Sequence, residues 1–169
     1  MEKAEKLSSL LIFFIIYLVI LIAGGFVMKG SAKGRYGLQF MVELARQAGR
    51  GPILVDAIAE RQDLPAKFLR VLLGNLKTAG LVKVQRGPSG GCELAKHPSH
   101  ITALEVLEAL EGHLGSTALP PDATHGARAV RELWIQSTEA ARKVLRSTTL
   151  ADLAARQQAL EVDTQGYSI

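Results

Sequence analysis

Residues 55–95 read VDAIAERQDLPAKFLRVLLGNLKTAGLVKVQRGPSGGCELA, and this stretch decides the fold. Val55, Ile58 and Ala59 have the i, i+3, i+4 spacing of one buried helix face, which predicts a helix over 55–62. Residues 63–65 (DLP) interrupt it, because proline cannot continue a preceding helix but suits a first helical turn. A second helix follows and ends at Gly80. The spacing predicts a helix-turn-helix.

The second helix is amphipathic, and its outer face is cationic. The apolar face carries Phe68, Leu69, Leu72, Leu73 and Leu76. The opposite face carries Lys67, Arg70, Gly74 and Lys77, and no acid lies between residues 65 and 79. A cationic helix placed after a tight turn is typical of a recognition helix that lies in a major groove. The alternative is that Lys67 and Arg70 only keep the helix soluble.

A two-stranded wing is predicted after this helix. The strands would cover 81–86 and 92–95, and the turn-rich segment GPSGG at 87–91 would join them. Arg86, at the start of that tip, would face a phosphate or a minor groove. A short strand at 53–54 could pair with the wing.

Several segments together resemble one known family. They are SAKGRYGL at 31–38, IAERQ at 58–62, LKTAGLV at 76–82, RGPSGG at 86–91, LW at 133–134 and TTLADL at 148–153. The chain is similar over about 28–153 to the bacterial winged-helix regulators of the Rrf2 type, a group that includes IscR, NsrR and CymR. The resemblance implies a dimeric transcriptional regulator. Its fold would be mainly α, with a winged helix-turn-helix head, a small antiparallel β-wing and a long C-terminal dimerisation helix.

DNA contacts are expected from the first helix, the recognition helix and the wing. A helix over 33–48 is predicted, with Leu38, Met41, Val42 and Ala45 turned inward. The exposed amides and nearby cations at the start of this helix suit a phosphate. The alternative is an ordinary helix start exposed to solvent. The resemblance favours the phosphate role for Arg35 more than for Lys33. The expected DNA-binding residues are Ser31, Lys33, Arg35, Pro65, Ala66, Lys67, Arg70, Arg86, Gly87, Ser89 and Gly90.

Two positions depart from the family pattern. Glutamate occurs in the cluster-regulator branch where this chain has Arg70, which implies a different operator. Arginine can donate two hydrogen bonds to guanine, so Arg70 and Lys67 are expected at base edges or nearby phosphates. Pro65 stands where a capping serine is common, so one hydroxyl that could bind a phosphate is missing.

The segment after the wing is expected to carry the dimer interface. Thr102 and Glu105 form a capping box for a helix to Glu111, with Leu104, Leu107 and Leu110 buried. A linker or sensor loop is predicted over 113–126, a long helix over 127–146, and a last helix capped by Thr149 and Asp152. The tail from Glu161 is predicted to be loose. The apolar stripe of the long helix is expected to form the dimer seam, through Val130, Leu133, Trp134, Ala141, Val144 and Leu145.

Cofactor chemistry is constrained by the cysteine count. Cluster-binding relatives place three cysteines before the Leu-Trp pair, whereas residues 112–133 contain none, so the chain is expected to bind no iron–sulfur cluster there. The sole thiol, Cys92, is expected to be a small buried strand residue; the alternative is a redox role through an intermolecular bond or an adduct. No cofactor is predicted.

Neither a metal site nor a catalytic site is predicted. The four histidines, His97, His100, His113 and His125, lie between the wing and the long helix and are expected in exposed turns, with a small metal or haem site as the alternative. No nucleophile or phosphate motif accompanies them, which argues against an enzyme.

Residues 1–28 form a separate segment. Residues 10–28 contain no charged residue. This apolar segment is long enough for one membrane-spanning helix, which would anchor the head to the inner face of the plasma membrane. The interpretation we favour is that translation starts at Met28 and the protein is cytoplasmic, with the membrane anchor as the alternative. The predicted divisions are 1–28, a DNA-binding domain at 29–112, the loop at 113–126, the helices at 127–160 and the tail at 161–169.

The charge distribution and the motifs leave two functions open. Residues 29–96 contain 12 lysines and arginines but five acids, as binding to a polyanion favours. The first function is a repressor that reads a two-fold symmetric operator as a homodimer. The second is a winged-helix protein-interaction module that no longer reads DNA. The expected partners are double-stranded DNA, a second copy of the chain, and an effector protein or small ligand.

Overall fold

The structure is a computed structural model that describes residues 31–87, 90–113 and 124–166. These residues form helices and one two-stranded antiparallel sheet. The elements in chain order are α1 (Ala32–Arg46), α2 (Val55–Arg61), α3 (Ala66–Thr78), β1 (Val82–Gln85), β2 (Gly91–Leu94), α4 (Ala103–Glu111), α5 (His125–Ser147) and α6 (Leu150–Gly166). A short 3₁₀ turn at Pro98–His100 precedes α4. The predicted fold class, mainly helical with a small antiparallel wing, is confirmed.

The helix-turn-helix consists of α2 and α3. Between them Asp63 has a φ of 49°, in the left-handed region that aspartate tolerates better than most residues. Pro65 is the N-cap of α3 rather than part of its first turn, and its carbonyl accepts hydrogen bonds from the amides of Phe68 and Leu69. Gly80, with a φ of 70°, ends the helix as predicted.

The wing is anchored to the segment that precedes α2. Val82 pairs with Leu94 in the sheet register, and Ile53 adds a single bridge to Cys92, with hydrogen bonds of 3.0 and 2.8 Å in the two directions. The predicted strand at 53–54 therefore pairs at Ile53 alone, because Leu54 is already the N-cap of α2.

The core lies among α1, α2, α3 and α4. Its fully buried side chains include Phe40, Met41, Ile58, Leu69, Leu72 and Leu76. The predicted capping box is present, because Thr102 and Glu105 bond each other's backbone amides. Leu107 was predicted to be buried but is only half-buried, because the buried face of α4 includes Ala103 and Val106 instead.

The last two helices are longer than predicted. The hydroxyl of Thr124 accepts a hydrogen bond from the Ala127 amide at 3.2 Å, so α5 starts at His125. Helix α6 begins at the fully buried Leu150 and is capped by Thr149 and Asp152 as predicted. Hydrogen bonds from the Thr149 hydroxyl and, to a lesser extent, the Thr149 amide lower the pKa of Asp152. Residues 161–166 of the predicted loose tail instead continue α6 as a helix, and residues 167–169 lie outside the described residues.

The apolar segment at 10–28 and its two explanations lie outside the described residues. Within residues 31–87, 90–113 and 124–166, each helix is too short or too polar to cross a bilayer.

Candidate nucleic-acid interface

The solvent face of α3 is cationic, as the sequence predicted. Leu69, Leu72 and Leu76 are fully buried on its inner side. Its outer side exposes Lys67, Arg70, Gly74 and Lys77, together with Val71. Helix α3 has no acidic residue, so this surface is suited to a polyanion.

Arg70 is held by an acid of the preceding helix. Its Nη2 donates to Asp56 Oδ1 at 2.6 Å and to Oδ2 at 2.7 Å. Both side chains are more than half exposed. Sequence reasoning missed Asp56, because its spacing from Arg70 is 14 residues and crosses the turn between two helices.

The start of α1 lies beside the start of α3. The ring of Tyr36 packs edge-on against Phe68, with centroids 5.9 Å apart. The guanidinium carbon of Arg35 lies 5.7 Å from the centre of the Tyr36 ring. Arg35 is exposed and Lys33 is half-exposed. These two ring contacts bring the predicted phosphate-binding residue Arg35 close to α3, a proximity that no local sequence pattern indicates.

The wing presents further basic side chains to solvent. Lys83 and Arg86 are exposed, on β1 and directly after it. Gly87 has a φ of 112°, which favours glycine, whereas Ser89 lies outside the described residues. A Cβ at Gly90 would collide with the Gln85 carbonyl oxygen, so the backbone of the tip already requires glycine there.

Cys92 is a buried strand residue, as expected. Its side chain is 1% exposed, and its Sγ donates to the Ile53 carbonyl at 3.2 Å. Burial raises the pKa of the thiol to about 11. Cys92 is therefore a neutral thiol at physiological pH.

The four histidines are exposed, as predicted. The Nδ1 of His113 lies 3.1 Å from a carboxylate oxygen of Glu108, and the rings of His97 and His100 pack edge-on at 5.9 Å. Across the part of the chain that the structure describes, histidine, cysteine, aspartate and glutamate side chains form no group of three at metal-binding distances.

The predicted dimer seam is left open on α5. No residue of α5 is buried. Four of its stripe residues, Val130, Leu133, Trp134 and Val144, are exposed by 44–63%, and Ala141 and Leu145 are half-buried. An ion pair between Arg142 and Glu108 joins α5 to α4 on another side.

The sequence matches the profile of a known regulator family over residues 30–156, and that family is described as Rrf2, iron-dependent transcriptional regulator. The chain belongs to the Rrf2 family. The Rrf2 protein CymR of Bacillus subtilis is 44% identical over 127 residues, which cover 75% of this chain and 90% of that relative.

Solved structures of Rrf2 proteins have the same fold. The structure of CymR from B. subtilis matches with a TM-score of 0.68 and 43% identity, over 76% of this chain and 98% of CymR. The structure of T. potens IscR matches with a TM-score of 0.66 and 36% identity, over 77% and 88% of the two chains. The protein is thus a DNA-binding transcriptional regulator, and the similarities favour this function over an interaction module.

The residues present do not fit a thiolate-bound iron centre of the Rrf2 family. Cluster irons are held by several deprotonated cysteines, whereas this sequence has one cysteine. That cysteine is buried in the wing and keeps its proton.

Proposed function

We propose that the protein is a repressor that binds a two-fold symmetric operator as a homodimer. The observation that carries the proposal is the exposed, acid-free cationic face of α3. A recognition helix with this form places its side chains against base edges in a major groove. A dimer bound to promoter DNA would repress transcription because it occupies the promoter.

Within this proposal, Lys67 and Arg70 contact base edges, and Pro65 and Ala66 bring the start of α3 close to the backbone. Ser31, Lys33 and Arg35 bind phosphates at the start of α1, where the Tyr36–Phe68 contact supports the placement. The wing adds phosphate or minor-groove contacts through Arg86, Gly87, Ser89 and Gly90. Phosphate contacts supply affinity, whereas contacts to base edges supply specificity.

The dimer forms through α5. Leu133 and Trp134 belong to an apolar stripe that is too large to remain in water on a monomer. A second copy of the chain would cover both side chains. A two-fold axis along this seam would present two α3 helices to two half-sites about one helical turn apart. The stripe comprises Val130, Leu133, Trp134, Ala141, Val144 and Leu145.

The signal reaches this protein without a thiolate-bound iron–sulfur cluster, because the sequence has one cysteine and that thiol is buried. The effector in this proposal is a partner protein or a small ligand. The site of action is the cytoplasm, where the DNA is.

Selection of bound sequences from a pool of random DNA duplexes tests this function. The purified protein should enrich a two-fold symmetric sequence. Arg70→Ala should weaken the preference for the enriched duplex over an unrelated one. Arg86→Ala should weaken binding to both duplexes, because a phosphate contact is independent of sequence. If no sequence is enriched and neither substitution changes DNA affinity, the protein is an interaction module instead.

A further inference from the structure

Asp56 engages Arg70 through a single nitrogen. Both carboxylate oxygens of Asp56 accept from Arg70 Nη2, at 2.6 and 2.7 Å. A guanidinium has five N–H donors on three nitrogens. Among the described residues nothing else bonds to Arg70, so Nη1 and Nε are free for a second acceptor.

We propose that Asp56 is a positioning residue for base recognition, which fixes the Arg70 guanidinium so that its remaining donors meet one particular base. The proposal rests on the proposed function, in which Arg70 reads a base edge. Guanine is the expected base, because its O6 and N7 are both acceptors and either one can take an N–H of Nη1 or of Nε.

The pair has little to contribute to folding. Its side chains are 56% and 64% exposed, and ion pairs in water are weak because solvent screens them. What the pair does change is the freedom of Arg70. A long side chain that is ordered before binding loses less conformational entropy when it meets its base.

Asp56 also acts against DNA in general. Helix α3 has no acid, and Asp56 places a negative charge directly on its central arginine. A carboxylate at a DNA-binding surface repels phosphates of any sequence. This repulsion is offset only where Arg70 contacts the base towards which Asp56 orients it. Asp56 therefore increases discrimination between DNA sequences while it lowers affinity for DNA in general.

The test uses the full chain and two duplexes of equal length. One is enriched by the wild type from the random pool, and the other is unrelated. The ratio of the two dissociation constants, from fluorescence anisotropy, measures discrimination. Asp56→Ala should lower this ratio roughly fivefold or more, the lower end of what an arginine contact to a base contributes. It should also tighten binding to the unrelated duplex.

Two variants make the result specific to the Asp56–Arg70 contact. Glu60→Ala removes the same charge from an exposed position on α2 and should leave the ratio unchanged. In the Arg70→Ala background, Asp56→Ala should have no further effect on the ratio, since its target is gone. Circular dichroism should show all variants folded.

The outcomes separate this inference from the function on which it rests. If Arg70→Ala lowers the ratio and Asp56→Ala does not, Asp56 does not position Arg70, while DNA reading by Arg70 stands. If Asp56→Ala raises the ratio, the contact obstructs Arg70 and the proposal is wrong. If Arg70→Ala itself leaves the ratio unchanged, the reading role fails, and the positioning role with it.

Discussion

Arg46 and Glu161 form a two-point ion pair that joins the end of α1 to α6. Nη1 of the arginine lies 2.9 Å from Oε1 of the glutamate, and Nη2 lies 2.7 Å from Oε2. Arg46 also lies 3.5 Å from a carboxylate oxygen of the buried Glu43, which Arg61 of α2 binds in turn. These ion pairs link the C-terminal helix α6, through α1, to helix α2 of the helix-turn-helix.

Glu161→Ala should loosen the end of α6 without unfolding the protein. The pair is partly exposed, so its loss should cost about 0–1 kcal/mol of the free energy of unfolding. Hydrogen exchange should accelerate in the last turns of α6 and stay unchanged in α3. Glu60→Ala, which removes an exposed glutamate of α2, is the control. Unchanged exchange in α6 would show that the ion pair does not hold the helix.

Arg61→Ala should be more costly, because it leaves a buried charge with fewer partners. Glu43 is 3% exposed, and its Oε1 lies 3.1 Å from Arg61. Loss of a hydrogen bond to a charged group costs about 1.5–3 kcal/mol, which urea denaturation would detect. Arg50→Ala, at an exposed arginine in the loop after α1, should change stability little. Equal stability of the two variants would contradict this role for Glu43.

Cys92 should resist alkylation in the folded protein. With the pKa raised from 9.0 to about 11, the thiolate fraction at neutral pH is roughly a hundredfold lower than in the unfolded chain. Iodoacetamide should label Cys92 rapidly in urea and very slowly in buffer. Labelling at equal rates would mean that the bridge between Ile53 and β2 opens readily.

The same shift makes stability depend on alkaline pH. Between pH 9 and about 11 the unfolded chain loses the Cys92 proton and the folded chain keeps it, so the free energy of unfolding falls as pH rises. Cys92→Ala removes this component, and its stability should decline less steeply over that range. Parallel pH profiles for the two proteins would contradict the burial of a neutral thiol.

Leu133→Glu should make the proposed homodimer monomeric. The side chain is 62% exposed on α5, and a buried charge in the seam would be costly. No α5 residue belongs to the buried core, so α1 to α4 should keep their hydrogen-exchange protection. Gln136→Glu adds the same charge at another exposed position of α5 and serves as the control. A sedimentation velocity experiment that finds both variants dimeric would place the interface elsewhere.

Local patterns were enough to predict the helix-turn-helix and the wing. Helical spacing identifies the apolar face of α3, although its Leu73 is only partly buried, and Pro65 and Gly80 mark the limits of the helix. The features that sequence reasoning missed are contacts between distant residues. Arg46 and Glu161 are 115 residues apart, and no local pattern relates them, so the end of α6 was predicted to be loose. Asp56 and Arg70 likewise meet only after the turn has formed.

Salt-dependent binding by the double variant Lys67→Ala/Arg70→Ala tests the central claim, that the cationic face of α3 binds duplex DNA. Anisotropy should show the wild type losing affinity for the selected duplex steeply between low and physiological salt, because bound counterions are released on binding. The double variant should bind at least about tenfold more weakly at every salt concentration and with a shallower slope, whereas Arg50→Ala should match the wild type. Equal affinity and an equal slope for the double variant and the wild type would contradict the claim.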